Sequence, residues 1–272
     1  ARQVSLATIV GVGLTFVMIT ANIDLAVGSY LAFSGIFVAA LLSIGFPWYL
    51  ALLSIMVIMA LVGMLVGVIV AKQKLNSLII TLAMMGVARG IALAYSGGAP
   101  IFIKDDTFIS LGTGYIGPIP TPVVIAAIVL IIGQFVLRKT SLGRYIYATG
   151  GNEEAATASG INVDRIKITV FAISGMLSGL AGSILAGRLF SGNPTAGQGF
   201  ELDVISAVVI GGTSLFGGVG HMWGTLIGAF TVGIIGNGLT ILNVEYFYQL
   251  IAKGVIIYLS LIHISEPTRP LY

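Results

Sequence analysis

Few side chains in this sequence have types that do chemistry, and the most concentrated set is polar rather than catalytic. The stretch Gly150-Gly151-Asn152-Glu153-Glu154-Ala155-Ala156-Thr157-Ala158-Ser159-Gly160 lies between long apolar runs, with basic residues on both sides. Asn152 is placed to cap a helix, and Glu153 and Glu154 then fall in its first turn, where the helix dipole favours carboxylates. Ala155, Ala156 and Ala158 present little side chain, so another surface can approach the backbone closely. Gly160 is a natural terminator. These residues describe a short exposed helix that either meets a partner or is only a well-capped piece of surface.

The remaining charged residues are scattered. Asn22 and Asp24 interrupt the first two apolar runs in Thr20-Ala21-Asn22-Ile23-Asp24-Leu25. In a shallow loop they are turn and cap residues; at depth, Asp24 is an intramembrane carboxylate, costly and usually functional. Broken helices with polar backbone often line a transport path. Arg89, in Met85-Gly86-Val87-Ala88-Arg89-Gly90, sits well inside an apolar run and must snorkel, pair or face water. Structural pairing and substrate contact are both open to it. Glu201 and Asp203 read as a solvated patch on an outer loop, with docking of an extracytoplasmic protein as the alternative.

Several chemistries are excluded. Gly211-Gly212-Thr213-Ser214-Leu215-Phe216-Gly217-Gly218-Val219-Gly220 is glycine-rich, but His221-Met222 follows where a phosphate-binding loop needs Gly-Lys-Ser or Gly-Lys-Thr. The chain therefore does not hydrolyse ATP itself, and those glycines read as a tight turn on the inner side. With no cysteine and only two histidines, disulfides, thiolate sites and a histidine-rich metal centre are ruled out, so no metal and no bound cofactor is expected. No Ser/His/Asp or paired-carboxylate arrangement is present, and no enzyme activity is expected.

The elements that must position these residues follow from composition. Of 272 residues, 57% are hydrophobic and 8% charged, at a mean hydropathy of +1.06. A soluble domain carries roughly a quarter charged residues, so this is an all-α integral membrane protein, a polytopic helical bundle in one membrane domain. Apolar runs of spanning length fall at 4–20, 25–44, 48–70, 78–95, 123–137, 168–186, 204–215, 222–242 and 247–259. That is about nine spans, the seventh short enough to cross only partly. Gly63 and Gly67, then Gly175, Gly179 and Gly182, have the spacing that lets helices approach closely. Packing within the chain is the leading reading and a homodimer contact the minor one.

Orientation follows from lysines and arginines in short loops. Lys72 and Lys74 form one cluster, and Arg138, Lys139, Arg144, Arg165 and Lys167 flank the Glu154 helix. Two spans separate the clusters, so both fall on the cytoplasmic side, where ATP is. Segments 96–122 and 187–203 then face outward, and Ala1 lies outside. A cytoplasmic amino end would need one more span, giving a probable ten. The net charge of +3 is a product of this loop bias, not a nucleic-acid signal.

The Glu154-Ala155-Ala156 run followed by Gly160 resembles the EAA loop of permease subunits of bacterial ABC importers. Its Gly-Gly-Asn-Glu lead-in and Gly-Ile-Asn-Val exit are similar to the ribose, xylose and arabinose branch of the branched-chain amino acid/sugar permease family. Further similar stretches are 23–29, Thr81-Leu82 through Arg89-Gly90, Asn193-Pro194-Thr195-Ala196-Gly197 through Asp203, and 211–215. Two departures stand out: Asn76-Ser77 where the family usually has a proline, and Ala21-Asn22 where Gly-Gly often precedes Ile-Asp-Leu.

The resemblance implies a permease for a monosaccharide, a ribose-type pentose or related sugar, in the bacterial cytoplasmic (inner) membrane. Its implied partners are two ATPase subunits that use the ATP, an extracytoplasmic sugar-binding protein, and a second permease copy or paralogue within the lipid. Asn152, Glu153, Glu154, Ala155, Ala156 and Gly160 would couple to the ATPases. The alternatives are an ion-coupled secondary transporter working through Asp24, and a branched-chain amino acid permease of the same superfamily. At the carboxyl end, 259–270 resembles the translation of a sequencing-library adapter. Residues 1–258 are thus the expected permease domain and 259–272 a non-native tail, with no role for His263 or Glu266.

Overall fold

The computed structural model describes residues 2–245, together with 248, 249, 251, 254 and 255. In chain order the elements are α1 (Arg2–Ile19), α2 (Val27–Ser43), α3 (Trp48–Gln73), α4 (Ser77–Ser96), β1 (Ile101–Phe102), α5 (Asp106–Thr113), β2 (Tyr115–Ile116) and β3 (Ile119–Pro120). They continue with α6 (Thr121–Lys139), α7 (Ser141–Gly151), α8 (Glu153–Ala158), α9 (Val163–Arg188), β4 (Ser191–Gly192), α10 (Phe200–Ile210) and α11 (Met222–Ile241). Helices α1, α3, α4, α6, α9 and α11 are long and apolar enough to cross a membrane, and α2 is a shorter apolar helix. At 11 residues, α10 crosses only part of the way. Eight of the nine expected spans thus correspond to helices. The ninth, 247–259, lies largely outside the described residues, as do His263, Glu266 and the whole segment 259–272.

Helices α1 and α9 form the centre. Nearly every residue of α1 from Val4 to Ile19 is buried, which is why its apolar residues surround it instead of forming a stripe. The α3–α9 seam is a close backbone approach. A side chain at Gly63 would strike the Phe171 carbonyl, and one at Gly175 the Met59 carbonyl. The small-residue spacing therefore serves packing within the chain, as a bundle in lipid requires where no hydrophobic force drives helices together.

The connections fix the two sides. β1 pairs antiparallel with β4, matching Ile101 to Gly192 and Phe102 to Ser191, so segments 96–122 and 187–203 meet at one end of the bundle. At that same end Arg2 donates to the Thr113 carbonyl at 2.6 Å and stacks over Tyr115. At the opposite end, Gly218 N donates to the Ile19 carbonyl at 2.9 Å and Tyr147 reaches Gly220. The glycine-rich 211–220 segment is accordingly an inner-side turn packed under α1 and beside α7.

Segment 187–203 is not simply an outer loop. After β4 it runs down into the bundle: Gly192 packs on Gly35, Gly197 on Gly28, and Val204 and Val208 lie beside Gly11 in the middle of α1. α10 thus starts near mid-membrane and ends at the inner side, where Gly211 packs on Gly224. Irregular backbone at such depth is tolerated only inside protein or along water.

Candidate functional site: an inner-face helix and a polar break in the membrane

The inner site is built on α8. Thr140 caps helix α7, its hydroxyl accepting from Gly143 N, and the helix ends at Gly151. Gly150 is wedged between the Ile19 carbonyl and Gly218 N, leaving no room for a side chain. Burial pushes the Tyr147 phenol above its ordinary pKa, Arg138 acting in the opposite direction. It stays protonated and donates to the Gly220 carbonyl at 2.5 Å. This junction of α1, α7 and the 211–220 turn is the platform from which α8 projects.

Asn152 ends α7 and caps α8 at once, its Oδ1 accepting from Ala155 N at 2.8 Å. Glu153, Glu154 and Ala155 are exposed, whereas Ala156 is buried and anchors the helix. Gly160 takes a φ of 84°, the left-handed conformation that ends a helix without a Cβ penalty. The capping, first-turn carboxylates and terminator expected of this stretch are all present. The helix proper is only six residues long.

Lys167, one turn into α9, donates to both carboxylate oxygens of Glu153, at 2.7 and 2.9 Å. In this ion pair Lys167 is mostly covered and Glu153 mostly open. In the sequence Lys167 counted only as one of several basic flanking residues. A cleft of about 990 Å³ opens beside α8, lined by Ala21, Asn22, Lys74, Asn76, Glu153 and Glu154 among others. Asn22 therefore belongs with the inner site. Its Nδ2 donates to the Thr20 carbonyl at 2.7 Å.

Asp24 takes the deeper of its two readings and is also a cap. It is buried, Oδ1 accepting from Ala26 N at 3.0 Å at the entry to α2, and Oδ2 from Ser174 Oγ at 2.7 Å. Ser174 lies eleven residues past Val163, about 16 Å along the axis of α9 at 1.5 Å per residue. The neighbouring peptide is gripped from α4: Ile23 N donates to Ser77 Oγ at 3.1 Å, and Thr81 Oγ1 donates to the Ile23 carbonyl at 3.3 Å. Asn76 caps α4 by accepting from Leu78 N at 2.9 Å. The Asn76-Ser77 departure thus supplies a cap and a hydrogen-bond acceptor in place of a proline.

Arg89 is a structural clamp. Nη1 donates to the carbonyls of Pro194 and Ala196 at 2.8 and 2.6 Å, and Nη2 to that of Gly28 at 3.3 Å. One planar guanidinium thereby ties α4 to α2 and to the descending segment after β4. Glu201 and Asp203 need correction. They are not in a solvated outer loop but in the first turn of α10, both partly buried. Glu201 Oε2 occupies the space a side chain at Gly28 would fill, within electrostatic reach of Arg89. Asp203 lies apart, lining a pocket of about 140 Å³ with Gln3 and Asn237. The cause of the miss is depth: hydropathy cannot show that a polar loop turns inward.

Residues 1–262 match the family described as branched-chain amino acid transport system, permease component. The chain belongs to this permease family. The permease is 48% identical over 265 residues to the ribose import permease protein of Haemophilus influenzae, covering 96% of this chain and 82% of that protein. It is 39% identical over 260 residues to the L-arabinose transporter permease of Azospirillum brasilense, covering 96% and 77%. With the xylose transport system permease of Haemophilus influenzae it shares 34% over 322 aligned positions, covering 95% and 86%. No solved structure matches the chain. As a permease with several membrane-spanning helices, it is a multi-pass protein of the inner membrane.

Proposed function

We propose that this permease is the membrane-spanning subunit of an ATP-driven importer for a monosaccharide, a ribose-type pentose or a related sugar, and that α8 is where separate ATPase subunits engage it. The observation that carries the coupling role is α8 itself. A six-residue helix capped at both ends, anchored by Ala156 and pinned to α9 by Lys167, exposes Glu153, Glu154 and Ala155 on the basic, inner face. A peripheral helix with so few residues is not self-stabilising, so its fixed geometry is suited to receiving force. The names of the ribose, arabinose and xylose relatives support the substrate class.

In this reading ATP is bound and used by the partner subunits, and the permease binds no cofactor. An extracytoplasmic sugar-binding protein delivers sugar at the end carrying β1 and β4, and a second permease copy or paralogue completes the pathway. Closure of the ATPases pushes α8, and the Glu153–Lys167 pair passes the displacement to α9, which crosses the membrane against α1, α2 and α3.

The test uses the absence of cysteine. With one cysteine at Ala158, a short thiol crosslinker applied to membranes of the native host should capture an ATPase subunit. Labelling of Ala158→Cys from outside only would overturn both sidedness and coupling. Asp24→Asn distinguishes the ion-coupled alternative. The amide oxygen can still accept from Ala26 N, and the amide nitrogen can donate to Ser174 Oγ with the serine reversing its role, so ATP-dependent uptake should persist. Loss of uptake with normal protein levels would favour coupling through Asp24.

A further inference from the structure

The tip of the descending segment presents polar side chains at a depth where lipid would not accept them. Arg89 is twelve residues past Ser77 in α4, about 18 Å along its axis, and it holds the Pro194 and Ala196 carbonyls at that depth. Gly197 is seated on the Gly28 carbonyl from the other side. Thr195, between the two carbonyls, and Gln198, just past Gly197, are exposed. Asn193 Oδ1 accepts from both Thr195 N, at 2.9 Å, and Thr195 Oγ1, at 2.8 Å, which fixes the turn and leaves the Thr195 oxygen with lone pairs to offer. On α4, Gly86 lies one turn before Arg89 on nearly the same face, with nothing within 4 Å of where its side chain would begin.

Exposed polar groups on non-helical backbone this deep are tolerated only against water or protein. The backbone here is clamped by a three-way guanidinium fork, so the tip is rigid, which suits a surface that reads a ligand. The Gln198 amide both donates and accepts, and the Thr195 hydroxyl, its proton engaged by Asn193, accepts from sugar hydroxyls. Neither binds so strongly as to prevent release.

We infer that Gln198 and Thr195 line the aqueous path of this permease and contact the hydroxyl groups of the sugar in transit, with Arg89 as the positioning residue that holds their turn. The assignment rests on the sugar-importer reading above. Glu201, partly buried at the foot of the same turn, holds its place against Gly28 and is not required to meet the sugar.

The experiment uses the complete transporter, with its ATPase and binding-protein partners, in membranes. Gln198→Cys and Thr195→Cys each supply a single thiol. Both should react with a charged, membrane-impermeant methanethiosulfonate, and saturating ribose with ATP should slow the reaction several-fold. Gln198→Ala should weaken the half-saturating sugar concentration for uptake by about 3- to 10-fold, the loss of one neutral hydrogen bond, at unchanged protein level. Thr195→Val should raise that concentration, and Thr195→Ser, which keeps the hydroxyl, should recover most of the loss. Unreactive thiols would overturn the assignment by showing that protein covers the tip. Thiols that react equally with and without sugar, in a transporter whose wild type imports sugar, would defeat the assignment of these two residues alone. A wild-type assembly that moves no monosaccharide would instead defeat the importer reading itself.

Discussion

Ala21 shows how one residue type sets a local cost. It takes a φ of 58° in the turn that leaves α1, a left-handed conformation that a Cβ penalises by roughly 1–2 kcal/mol. The turn is held there by neighbours: Ala21 N donates to the Met18 carbonyl at 3.0 Å, and Asn22 N to that of Val17 at 3.4 Å. The family resemblance marks this position as one where glycine often stands, and the geometry gives the physical reason. Ala21→Gly should therefore stabilise the folded permease by about 1 kcal/mol, read as a raised midpoint of thermal unfolding in detergent. An unchanged or lowered midpoint would mean that the entropy glycine adds to the unfolded chain offsets the relieved strain. At this scale the sequence was most readable where a side chain bonds to nearby backbone. Asn152 was legible as a cap because its acceptor meets an amide three residues on. Ser174 was not, because its partner Asp24 lies 150 residues away.

At the scale of elements, hydrophobic run length located every described span. Capping chemistry located α8, because both signals are local. Thr140 similarly caps α7, a start signal present in the sequence but hidden by the basic residues around it. The descent after β4 was illegible because it rests on distant backbone contacts, Gly192 on Gly35 and Gly197 on Gly28. The proposed coupling belongs to this scale too. The Glu153–Lys167 pair is half open to water, so its contribution to stability is only about 0.2–1 kcal/mol. Its value is in joining α8 to α9. Lys167→Glu should uncouple ATP hydrolysis from uptake, leaving hydrolysis by the assembled transporter while sugar accumulation falls. The double exchange Glu153→Lys with Lys167→Glu should recover much of the lost uptake. Uptake that stays low in the double variant while the assembly remains intact would show that Glu153 acts on the partner and not on α9.

At the scale of the whole molecule, α9 connects both ends. Its first turns carry Lys167 under α8, its middle carries Ser174 against Asp24, and its last turn meets α5, where Gly112 is pressed against Arg188 N and the Ile184 carbonyl. α5 follows β1, and β4 follows α9, so the β1–β4 pair closes a compact outer cap whose two halves are already joined through backbone packing. A cap built this way is expected to move with α9 as one body, with any opening of the pathway elsewhere. This makes a mechanical prediction. Cysteines replacing Phe102 and Ser191, direct partners across the β1–β4 pair, should form a disulfide that leaves ATP-driven uptake near the wild-type rate. Loss of uptake on oxidation with recovery on reduction would show that the two strands separate during transport. The outer cap would then be the gate itself, and α9 would move independently of α5.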